Sequence, residues 1–366
     1  MLTKAVRLYG KNDLRLEEFE LPAIREDEIL AHIITDSICM SSYKAAIQGA
    51  DHKRVPNNVA ENPIIIGHEF CGEIIEVGAK WADKFRPGQK FSIQPNIAHP
   101  SNPYAAPGYS FNYIGGSATY VIIPNEFMEM GCLLNYEGEA YYHGSLAEPM
   151  SCIVGAYHAQ YHTTIGSYVH EMGIKEGGKL CLMASVGPMG LGAIDYALHC
   201  DRKPSLLVVT DIDQARLDRA MGIYTVEDAA KLGIKLIYVN TGKLEDAASY
   251  LKEISGGGFD DVMVFAPVRA VVELADAVLG HDGCLNFFAG PPNPNFSAMF
   301  NFYNVHYNAT HIVGTSGGNT DDLIESLDMM ASGTIDPSSM VTHIGGLGAV
   351  IDTTLNLPNI PGGKKL

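Results

Sequence analysis

The sequence has no pair of cysteines spaced as CxxC. Its seven cysteines, Cys39, Cys71, Cys132, Cys152, Cys181, Cys200 and Cys284, are odd in number and scattered, which argues against a disulfide framework and against a thiolate zinc knuckle. Positive charge is scarce. Twenty-five basic against 42 acidic residues leave a net charge of −17, which repels nucleic acid and anionic lipid over the surface as a whole. No run approaches the ~20 uninterrupted apolar residues of a membrane span, and the N-terminal MLTKAVRLYGKNDLRLEEFE has no secretory core. The chain therefore reads as cytoplasmic, with neither membrane nor nucleic acid among its partners. Repeats and low-complexity tracts are also absent.

What is present is an apolar fraction of 46% in 366 residues, more than one hydrophobic core usually supports, so two domains are expected. The first 150 residues are strand-like, with apolar stretches at 64–66, 73–77, 90–94 and 118–123 separated by Gly, Pro and Asn. Between Gln94 and Tyr120 lies QPNIAHPSNPYAAPGYSFNYIGGSATY, a segment with no period. Loops of that length in a compact domain usually cover something. From Gly178 the texture changes to alternating strands and helices, the pattern of a parallel α/β sheet. LCLMAS, SLLVVTD, KLIYV, DDVMVFAP, CLNFFAG and HIVGTS supply six strands, and DQARLDRAMG and RAVVELADAVLG supply helices. NTDDLIESLDMMASG reads as a helix capped by Asn319 or Thr320 and stopped at Gly333. The sequence closes on PGGKKL, which reads as the start of a strand.

The turn SVGPMG joins the first of these strands to a helix, with Ser185, Gly187, Pro188, Met189 and Gly190 as candidate cofactor contacts. Glycines there let a pyrophosphate approach the amides at a helix N-terminus; Ser185 stands where the first glycine of GxGxxG is usual. Asp211 ends the second strand 21 residues beyond Gly190. A carboxylate so placed accepts from the ribose hydroxyls and repels a 2′-phosphate, which favours NAD. Arg216 and Arg219 keep NADP open.

In IIIGHEFCGEIIEVG, His68 and Glu69 follow an apolar run. Burying them is costly unless each finds a partner, and the choices are a metal, an ion pair or solvent. Cys39 sits near the end of the apolar stretch EILAHIITDSI, and Glu148, in GSLAEPMSC, precedes a proline at a turn into a helix. A thiolate, an imidazole and one or two carboxylates make a reasonable four-coordinate zinc site with a position open to substrate. Zinc there lowers the pKa of an alcohol or water and polarises a carbonyl. The other cysteines read as small buried residues, Cys71 being the one to check for oxidation.

Taken together, ICMSS, IIIGHEFCGEIIEVG, LAEPMS, SVGPMG with Asp211 and GTSGGNTDDLIESLDMMASGTIDPSSMVTHI resemble the zinc-dependent medium-chain dehydrogenase/reductase family over essentially the whole chain. The form LAEPMS is similar to the sorbitol dehydrogenase-like branch. The resemblance implies an α/β protein with a mainly β GroES-like catalytic domain (1–155), a Rossmann doubly wound NAD-binding domain (156–318) and a C-terminal return to the catalytic domain (319–366). It implies an oxidoreductase with Cys39, His68, Glu69 and Glu148 as the metal set, Ser41 passing the substrate proton outward, and a homodimer or homotetramer. A structural zinc is not expected, because 94–120 contains no cysteine. Where the family often has a relay histidine, Lys44 stands; it reads equally as a solvated lysine or, with Lys53 and Arg54, as a cluster holding a sugar phosphate in an otherwise acidic chain. The expected reaction interconverts a ketose phosphate and a polyol phosphate. The rivals are a dehydrogenase of unphosphorylated polyols or of threonine, a zinc-free quinone reductase relative, and a non-catalytic nucleotide-binding protein.

Overall fold

The computed structural model describes all 366 residues, which divide into two compact units. The first comprises Met1–Ser151, Asn319–Gly333 and Val341–Leu366; the second comprises Cys152–Gly318 and Thr334–Met340. No helix is long and apolar enough to cross a membrane.

The first unit is built on a five-stranded antiparallel sheet, in the order Tyr120–Ile123, Ile29–Asp36, Phe70–Val77, Lys90–Ile93, Leu133–Asn135. Its apolar residues, among them Ile29, Ala31, Phe70, Ile74, Phe91, Ile93, Val121 and Ile123, form one core. Leu2–Gly10 pairs with both Asp13–Glu20 and Ile64–Ile65 in a second, smaller sheet. Val6, Leu8, Ile64 and Ile66 pack there against Ala45 and Ala46 of the helix Met40–Gln48. Fully burying each such aliphatic side chain is worth about 1.5–3 kcal/mol.

His68 and Glu69 lie on the crossover between these two sheets, after Ile64–Ile65 and before Phe70–Val77. Both sheets hold their ends of this short irregular stretch. Gly67 has φ +93 and its Cα abuts the Asp36 carboxylate, so an added Cβ would overlap that side chain. The unpatterned segment after Gln94 packs back over the crossover: Gly116 N–H donates to Gly67 O at 2.9 Å and Ser117 N–H to Ile66 O at 2.9 Å. The C-terminal residues reach the same place. Lys364–Lys365 pairs with Val341–His343, and Ile38 N–H donates to Lys365 O at 2.8 Å.

Two local readings need correction. Glu148 and Pro149 lie inside the helix Tyr141–His158, not at a turn into one; the burial of Ser145, Leu146, Ala147, Met150 and Ser151 outweighs the helix-breaking tendency of proline. Cys39 is beyond the strand Ile29–Asp36, at the N-cap of Met40–Gln48. The helix Thr320–Ala331 carries a capping box between Asn319 and Asp322, so Asn319 rather than Thr320 is the cap.

The second unit is a six-stranded parallel sheet, in the order Lys235–Asn240, Leu206–Asp211, Lys179–Met183, Phe259–Val264, Leu279–Phe287, His311–Gly314. In chain order this is 3-2-1-4-5-6, the doubly wound dinucleotide-binding arrangement. Its central strands are buried along nearly their whole length, as a sheet covered on both faces requires. Phe300 packs on this core, whereas Phe302, Tyr303 and Tyr307 of the following helix are exposed.

Candidate active site

Cys39 Sγ, a His68 ring nitrogen and a Glu69 carboxylate oxygen lie within 4.8 Å of one another. The helix start places Cys39, and its first turn adds two hydroxyls. Ser41 Oγ is 3.2 Å from His68 Nε2, and Ser42 Oγ is 3.4 Å from His68 Nδ1. Tyr109, from the long segment, puts its hydroxyl 3.3 Å from the same Nδ1. Sequence reading missed Tyr109, since nothing in GYSFNYIGG marks which aromatic turns inward.

It also missed Lys364. The Lys364 ammonium donates to both Glu69 oxygens, at 2.6 and 2.5 Å, and Ser37 Oγ donates to Glu69 Oε2. Lys364 is 7% and Glu69 1% exposed. Burial opposes the charge of both, but the mutual attraction wins: Glu69 is held below the usual carboxylate range and Lys364 above the usual amine range. Glu69 therefore has less to offer a cation than its distance from Cys39 suggests. The only signal in the sequence was a pair of lysines in an apolar context, PGGKKL.

Glu148, from the helix Tyr141–His158, is pushed up to about 8, first by burial and then by the charge of Glu69, with Cys39 adding to the rise. The Cys39 thiol is raised by the same burial and the same carboxylate. A dication among these groups would reverse both shifts, favouring thiolate and carboxylate. Sulfur, imidazole and carboxylate also match the preferences of zinc. The set of Cys39, His68 and Glu69 fits such an ion, and Glu148 stands outside that 4.8 Å group. A cavity of about 500 Å³ in this unit is lined by Asp36, Ile38, Gly116 and Leu366 and by none of these donors, so shape alone does not mark the site. Cys71 is fully buried with its thiol pushed well up by desolvation, which makes it a packing residue and not a redox target.

Asp36 flanks the crossover. Its Oδ2 accepts from Ser117 Oγ at 3.0 Å, its Oδ1 is buried without a partner, and burial foremost pushes its carboxyl up to about 7. An unfolded aspartate titrates near ~3.9. The folded state thus holds a proton that the unfolded state has lost, and stability falls as pH rises from about 4 to about 7. In metal-free protein, Asp36→Asn is expected to melt a few degrees above wild type at pH 8 and alongside it near pH 4. Parallel melting curves across that range would refute the assignment.

Lys44, Lys53 and Arg54 all add positive charge around His52. His52 follows the short turn Gly49–Asp51, and its imidazole is pushed down by burial and then by Arg54, Lys53 and Lys44 in that order. The nearest acid in sequence, Asp51, is paired with Lys11 instead. The Arg54 guanidinium lies 5.6 Å from the centre of the Tyr109 ring. That ring is stacked on His52, at 5.4 Å and 15°, and tilted against His68, at 5.1 Å and 48°.

In the second unit, Gly187 caps the helix Pro188–His199, with Pro188 at its first position. The next amides, Met189 and Gly190, are first-turn donors without helical partners, suited to an anion. Gly190 packs on the Ser185 backbone so closely that a Cβ would overlap it. Ser185 substitutes for glycine by turning its hydroxyl back to Leu182 O at 2.9 Å, so only its backbone faces the turn's ligand side. Asp211 Oδ1 accepts from the amides of Ile212 and Asp213, at 2.8 and 3.0 Å, which fixes the carboxylate at the strand end. Asp213, not Asp211, caps the next helix. Arg216 pairs with Asp213 at 3.5 Å, and Arg219 donates to Ser339 O at 2.8 Å.

A parallel dinucleotide-binding sheet in one unit and a sulfur, imidazole and carboxylate cluster on an antiparallel scaffold in the other define a zinc-binding, nucleotide-dependent dehydrogenase. The family description "Zinc-binding dehydrogenase" matches residues 188–332 and "Alcohol dehydrogenase GroES-like domain" matches residues 25–130, and the chain belongs to this zinc-binding medium-chain dehydrogenase/reductase family. It is 55% identical over 365 residues to the mannitol-1-phosphate 5-dehydrogenase of Aliivibrio fischeri, covering 100% of this chain and 86% of that one. It is 54% identical over 365 residues to the L-sorbose 1-phosphate reductase of Klebsiella pneumoniae, covering 100% and 87%. Among solved structures it shares its fold with the 2R,3R-butanediol dehydrogenase of Bacillus subtilis, with TM-score 0.78, 20% identity, and coverage of 99% and 98%.

Proposed function

We propose that this dehydrogenase interconverts a ketose phosphate and a polyol phosphate, L-sorbose 1-phosphate and D-glucitol 6-phosphate, with NAD(H). The observation that carries this reading is the Tyr109 ring, which meets both His52 and His68 and has the Arg54 guanidinium 5.6 Å from its centre, with Lys53 and Lys44 adding positive charge around His52. In a chain of net charge −17, a cation cluster beside the reactive centre is what a doubly charged substrate needs. Two relatives at 54–55% identity are named for 1-phosphorylated substrates, which supports the same reading. Their near-equal identity also makes mannitol 1-phosphate the second substrate to test.

In this reading Cys39 and His68 would hold zinc, with Glu148 completing the set, and the pyrophosphate of the nucleotide would rest on the amides of the turn from Ser185 to Gly190. Zinc bound there would polarise the substrate carbonyl, and the nicotinamide would supply the hydride. Glu69, charge-balanced by Lys364, orients the crossover that carries His68. Ser41, within reach of His68, hands on the substrate proton. Asp211 would take the ribose hydroxyls and repel a 2′-phosphate, while Arg216 pairs with Asp213 and Arg219 with Ser339 O.

NADH oxidation with L-sorbose 1-phosphate, L-sorbose and fructose 6-phosphate, NAD reduction with mannitol 1-phosphate, and each assay repeated with NADP(H) and after chelation, tests the whole reading. Turnover should favour a phosphorylated substrate and NAD(H) and disappear with the metal. Equal rates on sorbose and its phosphate would overturn the substrate class.

A further inference from the structure

We propose that His52 is itself a substrate-phosphate contact, its Nε2–H donating to a phosphate oxygen while Lys44, Lys53 and Arg54 supply the charge; this rests on the sugar-phosphate reading above. His52 is not a histidine that the metal-site pattern singles out, and no role in the chemistry otherwise falls to it.

The geometry limits what the ring can do. Its Nδ1 accepts from the Arg54 backbone N–H at 3.3 Å, so the neutral imidazole carries its proton on Nε2 and has one donor left over. Stacking on Tyr109 fixes the plane of the ring. The surrounding turn is braced from the long segment: Ser110 Oγ donates to Arg54 O at 2.8 Å, and the Lys53 ammonium lies 5.7 Å from the Tyr104 ring centre. Burial and three neighbouring cations keep the imidazole uncharged, its pKa below the ordinary histidine range. A neutral, directional N–H beside three cations adds geometric selection to their charge. Because Tyr109 touches both His52 and His68, a phosphate held here sits one aromatic ring from the metal donors, a separation suited to a short phosphorylated carbon chain.

Steady-state kinetics of wild type, His52→Ala and His52→Gln on L-sorbose 1-phosphate and L-sorbose, with inorganic phosphate as an inhibitor, test this. Loss of a hydrogen bond to a charged group should lower the ratio of kcat/KM for phosphorylated over unphosphorylated substrate about tenfold or more. The loss should appear in KM, and inhibition by phosphate should weaken in parallel. His52→Gln, whose amide nitrogen can stand near Nε2, should recover part of both effects, and it carries the test if the alanine variant does not fold. A wild type that prefers the phosphorylated substrate and passes that preference unchanged to both variants would overturn the role of His52 alone. A wild type with no such preference and no inhibition by phosphate would overturn the substrate reading and this subsite with it.

Discussion

Cys39→Ala and His68→Ala are each expected to abolish turnover while nicotinamide nucleotide still binds. Cys39 and His68 come from elements 29 residues apart in sequence, a helix N-cap and an intersheet crossover, and their donor atoms meet within 4.8 Å. The Cys39 side chain makes no capping bond at the helix start it occupies, so its thiol is left to the cluster with His68 and Glu69. Lewis-acid stabilisation is worth several kcal/mol, so losing the ion lowers the rate by roughly a thousandfold or more. The nucleotide contacts proposed above, the turn from Ser185 to Gly190 and Asp211, lie in the second unit and share no residue with the proposed metal donors. Metal analysis should show one zinc per chain in wild type and substoichiometric zinc in both variants, with NADH fluorescence titrations superimposable. Wild-type rates in either variant would remove this site from the mechanism.

Lys364→Met should be the most destabilising single change at the site, costing about 3–5 kcal/mol, because it strands a buried carboxylate. Glu69 is 1% exposed, and its oxygens receive only Lys364 and Ser37. Glu69→Gln alone leaves a buried ammonium facing a neutral amide and should also cost several kcal/mol. The double variant removes both charges together, so its loss should be well below the sum of the two. Chemical denaturation of the four proteins in metal-free buffer measures the coupling. Additive losses would mean that the ion pair does not hold the two segments together. In the zinc-loaded enzyme, Lys364→Met also frees Glu69 to turn toward the ion, so an altered zinc affinity should accompany the lost stability.

Much of the fold was legible because it is written locally. The six strands of the parallel sheet were visible as apolar runs, since strands buried on both faces need no alternation. Asn319 announced a helix start because its side chain and that of Asp322 satisfy amides only three residues away. SVGPMG and Asp211 were readable for the same reason: a strand, a turn and a helix start are contiguous, and Ser185 could replace glycine by bonding its own strand. Local rules failed where burial overrode propensity. Pro149 sits inside a helix whose apolar contacts outweigh one missing hydrogen bond.

Cys39, His68 and Glu69, which the structure gathers within 4.8 Å, were legible as candidate donors because each residue type announces its chemistry, but their supporting cast was not. Lys364 lies 295 residues from Glu69, and its strand is held there by pairing with Val341–His343 and by the bond from Ile38 N–H to Lys365 O. Tyr109 comes from a segment with no period, and His52 looked like one more polar residue in a turn. The sequence by itself determined the two kinds of sheet and the strand, glycine turn and helix start of the second unit, all properties of short windows whose hydrogen bonds and apolar spacing are local. Only the tertiary structure decided which lysine neutralises Glu69 and which ring joins His68 to the cation cluster. Those pairings depend on where distant backbone segments cross, and no local energy term records that.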